Sequence, residues 1–183
     1  MTREVQESDA EVSGLLTGTA AAIASVRTCW LLTATAGGAW NARPMGGLHR
    51  DLERDDWRMR FVADGRSRKA REICGGGRVA AIFQQGEDAF GTLVGVPSLR
   101  RDIPEAQLLL SKSFDTYFPT GEDRANAAVI EIDIQEMELW IRGVTPEPFG
   151  LQPTRLERDA TRAWHLISSV GNCQSGLLSA SSS

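Results

Sequence analysis

Four cationic side chains crowd one short stretch of this sequence. FVADGRSRKAREI, residues 61–73, holds Arg66, Arg68, Lys69 and Arg71, and Lys69 is one of only two lysines in the chain. The stretch opens like the end of a strand, turns at a glycine, and meets Ser67 where a helix takes its cap. A helix start has unpaired N–H groups and a partial positive charge. A serine hydroxyl that can donate, with the full charges of Arg68 and Lys69, completes a set of groups suited to a phosphate. A helix start with its arginines in water is the alternative for the same residues.

A second group lies upstream. In ARPMGG, residues 42–47, an arginine precedes a proline on what reads as a returning strand. Its guanidinium can face an electron-rich group, and the backbone at Met45 and Gly46 can approach a flat ring because glycine has no side chain in the way. Alone, the motif reads equally as an edge strand guarded by proline. His49 and His165, the two histidines, have no neighbours at metal-ligand spacing. The three cysteines, Cys29, Cys74 and Cys173, have no CxxC spacing and read as thiols, Cys29 and Cys74 packed ones. Asp115, Glu122 and Asp123 form an acidic group whose use for acid–base work would need a shared pocket.

The elements that must position these residues follow from periodicity. Residues 8–26 carry Val12, Leu15, Leu16, Ala20, Ile23 and Val26 on one helical face, with Ser8 and Glu11 as a capping box. Strands are expected over 29–36 and 39–48 around a Gly37–Gly38 turn, then over 57–63, 78–85 and 89–99. Pro44 confines its strand to an edge or a bulge. A short helix follows Ser67 and ends at the glycines of 75–77. A helix is expected over 103–118, and a long strand over 127–141, where the inward parity shifts midway and signals a bulge or a corner. Residues 146–153 read as a proline-rich linker. Leu156, Ala160, Ala163, Trp164 and Ile167 fit a helix over 154–167, with Thr154 and Glu157 as its cap. The short strands in hairpin order point to an antiparallel barrel, which closes its edges.

The 183-residue length fits one domain with an appendage, and 42% hydrophobic residues fit a packed core. A net charge of -4 gives no bulk attraction to nucleic acid or an anionic membrane. The start lacks a secretory pattern, and no apolar run reaches the ~18 residues of a spanning helix. A reducing cytoplasm is the expected location.

Taken in order and spacing, the motifs resemble the flavin-binding split barrels related to pyridoxamine 5′-phosphate oxidase, most nearly their general stress protein branch. RPMGG resembles the family's Arg-Pro-Met strand and ADGRSRKAREI its Ser-Arg-Lys phosphate segment. GRVAAIFQQ resembles a strand that usually begins Pro-Arg-Val. YFPTGED resembles a Trp-Phe-Pro-Gly-type turn, and ELW the end of the last strand. The resemblance runs from about Val12 to about Trp140.

It implies a mainly β split barrel with peripheral helices, forming a homodimer with FMN at the subunit interface. It implies that Ser67, Arg68 and Lys69 hold the FMN phosphate. Arg43, with backbone from Pro44 and Met45, would border the isoalloxazine ring. Ala63 and Asp64 would line the ribityl chain, and Trp140 would reach the neighbouring subunit's ring. The barrel is expected over 8–143, the linker and C-terminal helix over 144–176, and a disordered tail over 177–183.

The chain departs from the oxidases in three places. Gly77 stands in for proline, and Phe90 for a flavin-facing glutamine. Nothing after Trp140 matches their Arg-Leu-His-x-Arg-type segment, which argues against pyridoxamine phosphate oxidation. The expected activity is FMN-dependent electron transfer to a small acceptor, with no side chain marked as a general acid and no metal. A flavin carrier or sensor without turnover is the alternative. So is the same cleft with deazaflavin, or with haem on His49.

Overall fold

The computed structural model describes residues 2–35, 37–46, 52, 56–101 and 115–167. His49, Cys173, most of the helix expected over 103–118 and the tail over 177–183 lie outside them.

Helix α1 (Thr2–Ser25) lays Val12, Leu15, Ala22 and Ile23 into the core. It begins at Thr2, so Ser8 lies inside the helix rather than capping its start. Gly18 is required by packing, because a Cβ there would run into the side chain of Val144.

The strands follow as β1 (Thr28–Ala34), β2 (Trp40–Gly46), β3 (Arg58–Asp64), β4 (Val79–Gln85), β5 (Ala89–Arg100), β6 (Ala127–Ile141), β7 (Thr154–Arg158) and β8 (Trp164–Ile167). Helix α2 (Arg68–Cys74) stands between β3 and β4, and the short α3 (Gly121–Ala125) precedes β6. All the pairings are antiparallel, in one eight-stranded sheet ordered β2-β1-β4-β5-β6-β7-β8, with β3 paired to β6. Along this path β2 is an edge strand, as Pro44 requires.

Strand β6 organises the sheet because its two halves do different work. Residues 127–133 pair with β3, and 136–139 pair with β7. Between the halves the register to β5 slips: Val94 faces Glu136 and Gly95 faces Ile134, which leaves Gln135 as the extra residue of a bulge. The parity shift read from the sequence is this bulge. Gly95 is indispensable here, since a Cβ would run into the carbonyl oxygen of Asp133.

One core cluster fills the interior, with Leu31, Phe61, Leu93, Ile130, Ile132, Leu139 and Leu156 fully buried. Part of the opposite face of the sheet is also apolar. Register aligns Trp30 with Pro44 and Ile82, and Phe90 with Trp140. Trp30 is 54% exposed and Trp40 60%.

The helix expected over 154–167 is instead the β7–β8 hairpin. Thr154 and Leu156 point inward and Arg155 and Glu157 outward, a strand alternation. Once β3 has ended, β6 has an open edge, and Leu156 fills it opposite Met137. Asp159 makes the turn by accepting the N–H groups of Thr161 and Ala163 at 2.8 and 3.0 Å. Arg158 and Arg162 tie that turn to Asp56, just before β3, and to Asp133 in β6. Trp164 meets Trp57 edge to face, with ring centroids 5.8 Å apart.

Among the described residues no helix is long and apolar enough to cross a membrane.

Candidate functional site: cations between the first hairpin and the second helix

Alternation along β2 puts Asn41, Arg43 and Met45 on one face, the face turned toward the core. Register sets Asn41 opposite Thr33 and Arg43 opposite Leu31. Helix α2 packs over this end of the hairpin on buried Ala70 and Ile73. Ser67 caps it, with its Oγ accepting the Ala70 N–H at 3.4 Å.

Helix and hairpin are joined through Glu72. Its carboxylate accepts from Thr33 Oγ1 at 2.5 Å, Asn41 Nδ2 at 2.6 Å and Arg43 Nη2 at 2.9 Å. Arg43 Nη2 also donates to Thr33 Oγ1 at 2.7 Å and to the Asn41 carbonyl at 3.2 Å. Burial pushes the Glu72 carboxyl up, but the hydrogen bonds from Thr33, Arg43 and Asn41 outweigh it and hold its pKa below the ordinary 4.5.

The other terminal nitrogen of the same guanidinium, Arg43 Nη1, is buried and has no hydrogen-bond partner among the described residues. A buried donor left unpaired costs about 1–3 kcal/mol. Lys69 is the neighbouring charge. It is half-buried, and no hydrogen bond or ion pair joins it to the described residues. Burial and then the positive charge of Arg43 lower the Lys69 pKa from its ordinary 10.5, with Asp64 opposing them. Two like charges thus lie near each other in a partly desolvated space, and one terminal nitrogen of the Arg43 guanidinium is left unpaired among the described residues. An anion with several acceptor oxygens is the chemical complement of that arrangement.

The four cations of the opening stretch divide by role. Arg66 is held by Asp64 at 2.8 Å, Asp123 at 3.0 Å and Glu122 at 3.1 Å, which braces the turn after β3 against α3. The hydrogen bond from Arg66 holds the Asp64 carboxyl below its ordinary range. Arg71 lies in the last turn of α2. Arg68 is 67% exposed and lies 3.5 Å from Glu72. Of the four, Lys69 is the one that is half-buried, close enough to Arg43 to feel its charge. The acidic group Asp115, Glu122 and Asp123 is consumed by arginines, since Asp115 pairs with Arg124 at 2.8 Å.

The remaining expected residues are spread over three places. Met45 and Ala63 are buried in the core, so only their backbone could meet a ligand. Pro44 and Trp140 lie on the outer face of the sheet, away from the face that carries Arg43. Asp64 is close enough to Lys69 to act on its charge. Within one chain, Arg43, Asp64, Ser67, Arg68 and Lys69 are gathered, and Trp140 is not. His165 is paired with Asp159 in the hairpin turn at 2.8 Å.

Thr33, Asn41 and Glu72 were not legible as site residues. Asn41 and Arg43 are two apart on a strand and so share a face, which was the one available signal.

A family profile described as "Pyridoxamine 5'-phosphate oxidase like" matches residues 18–146. Comparison with curated proteins gives no match. Among solved structures, the chain is similar to PhzG from Burkholderia lata in complex with tetrahydrophenazine-1-carboxylic acid (TM-score 0.61 or above for this and the next). PhzG has TM-score 0.63 and 18% identity, with 85% of this chain and 90% of that one covered. A Clostridium acetobutylicum protein related to general stress protein 26 has TM-score 0.61 and 14% identity, with 78% and 93% covered. A pyridoxamine 5′-phosphate oxidase-related, FMN-binding protein from Nostoc punctiforme has TM-score 0.56 and 16% identity, with 87% and 95% covered. Likeness at these identities speaks to the fold, a split barrel with peripheral helices.

Proposed function

The chain belongs to the pyridoxamine 5′-phosphate oxidase-like family, and from that premise we propose that it is an FMN-binding flavoprotein of the general-stress type that passes electrons through the flavin to a small acceptor. The observation that carries this reading is the buried Arg43 guanidinium, whose Nη1 has no partner among the described residues, near the half-buried Lys69. A phosphate monoester would satisfy both groups. It would also relieve the repulsion between them and take a further contact from Arg68, which is in reach of solvent. FMN is the phosphate-bearing ligand that the similar Nostoc protein is described as binding. When bound, the flavin supplies the redox chemistry, and this chain's residues supply binding and charge.

In this reading Lys69, Arg43 and Arg68 hold the phosphate, and Ser67 fixes the helix that presents them. Grouping Arg43 with the phosphate revises its expected place beside the isoalloxazine ring. Asp64 and the backbone of Ala63, Pro44 and Met45 remain the proposed borders of the rest of the flavin.

A homodimer is part of the proposal. The outer face carrying Trp30, Ile82, Phe90 and Trp140 is too apolar to suit a surface left in water, and a second copy would cover it. Trp140, on the face away from Arg43, could then approach the partner's flavin.

The chain after Trp140 supports a second reading, a flavin carrier or sensor. β7 and β8 occupy that stretch, and they contain no pair of cations flanking a histidine.

The absorbance spectrum of the purified protein tests the cofactor. Paired bands in the blue and near ultraviolet support FMN. A single band supports deazaflavin, and an intense Soret band supports haem; either overturns the assignment. Anaerobic addition of NADH or NADPH then separates the two functions. Rapid bleaching supports an oxidoreductase, and persistent yellow supports a carrier.

A further inference from the structure

We propose that Glu72 is a positioning residue that sets the Arg43 guanidinium for a phosphate. The inference rests on the reading of the site as a phosphate cradle given above.

Glu72 sits on the same short helix as Lys69, three residues further on, yet it reaches both strands of the first hairpin. Its side chain is 10% exposed, and its carboxylate collects donors from Thr33 on β1 and from Asn41 and Arg43 on β2. Burying a carboxylate is costly unless every acceptor site is used. An apolar residue could tether α2 to the hairpin without that cost. What the carboxylate does that an apolar residue cannot is hold Arg43 by one nitrogen only. Nη2 is locked by Glu72, Thr33 and the Asn41 carbonyl, and the planar guanidinium then fixes the direction of Nη1, the nitrogen left without a partner.

Two effects of Glu72 on a bound phosphate oppose each other. Its negative charge repels the phosphate, and its hold on Arg43 prepays the ordering of a long side chain. Three donors already engage the carboxylate, one of them cationic, so its charge is largely compensated at close range. Orientation is the larger effect, and removing Glu72 weakens phosphate binding rather than strengthening it. Thr33 and Asn41 serve the same end by fixing the carboxylate.

The test is a double-mutant cycle read by quenching of flavin fluorescence during FMN titration of wild type, Glu72→Gln, Arg43→Ala and the double variant. Glutamine keeps the shape of the side chain and loses the charge, and thermal melts confirm that each variant is folded. The expected result is a loss of about tenfold or more for Glu72→Gln, the worth of one charge-assisted hydrogen bond, and no further loss once Arg43 is alanine. If Arg43→Ala binds too weakly to titrate, Arg43→Lys replaces it, since lysine keeps the charge but cannot span carboxylate and phosphate together. Unchanged or tighter binding by Glu72→Gln overturns the proposal, as does an equal loss in both Arg43 backgrounds. A wild-type protein that binds no FMN overturns the cradle reading itself, and this inference with it.

Discussion

The Arg43 guanidinium meets the Glu72 carboxylate at 2.9 Å, bridging a strand of the first hairpin to the helix that carries Lys69. That bridge brings a second cation beside Lys69 from a segment 26 residues away in sequence, by the numbering of the two side chains. The candidate site is therefore a product of two elements and not of the Ser-Arg-Lys segment alone.

The cations of that segment should contribute unequally. Lys69 is half-buried and without a partner among the described residues, whereas Arg68 is mostly in water and already near Glu72. Lys69→Ala is expected to weaken FMN binding by about tenfold to a hundredfold, as the loss of a hydrogen bond to a charged group implies. Arg68→Ala is expected to cost less, because solvent screens an exposed charge. Fluorescence titration of the two single variants ranks them, and a larger loss for Arg68→Ala contradicts the geometry.

Proton coupling follows from the lowered pKa of Lys69. In the free protein burial and Arg43 favour the neutral amine, and a bound phosphate favours the ammonium. Below the lowered pKa the ammonium is present in both states, and affinity for FMN is level with respect to this group. As pH rises through it, binding must draw in a proton, so affinity falls on the alkaline side, at pH values below the ordinary 10.5. Lys69→Arg, always charged, is expected to flatten that limb. A limb of the same shape in the arginine variant assigns the titration elsewhere.

Glu72 gives the opposite sign at the acid end. Its folded pKa is depressed, so its contribution to stability is present above the unfolded value near 4.5 and is lost as pH falls through the folded value. Urea unfolding of wild type and Glu72→Gln should therefore differ at neutral pH and converge in acid. A constant difference would place the effect outside the carboxylate's charge.

The outer face gives an assembly prediction. Trp30→Arg puts a charge in the middle of the apolar stripe formed with Pro44 and Ile82. It is expected to shift sedimentation from dimer to monomer while leaving the thermal unfolding of the chain cooperative. A wild-type protein that sediments as a monomer contradicts the assignment of this face.

Much of the fold was legible because local chemistry and tertiary packing agree there. Gly37–Gly38 turns the first hairpin, Ser67 caps α2, Pro44 keeps β2 at an edge, and the parity change in β6 marks its bulge. The C-terminal segment was misread because its apolar residues satisfy two periods. Leu156, Ala160, Ala163 and Trp164 fit a helical face, while Thr154 and Leu156 alternate as a strand. The free edge of β6 beyond β3 decided between them, and an edge left open by another strand's end is invisible in the sequence. In the candidate site, the density of cations was visible in the sequence. Their partner Glu72 was not, because a glutamate in a basic helix looks like ordinary charge balance until the hairpin folds over it. Leu156→Ala is expected to cost about 2–5 kcal/mol, since the side chain is fully buried against Met137.

The central claim is that Arg43 and Lys69 take the phosphate of a flavin. Its most direct measurement is the affinity of wild type and the Arg43→Ala/Lys69→Ala variant for FMN and for riboflavin, which differ only by that phosphate. Wild type should prefer FMN by about a hundredfold or more, and the double variant should bind the two ligands alike. Equal affinity for FMN and riboflavin in the wild-type protein, or a preference for FMN that survives in the variant, would contradict it.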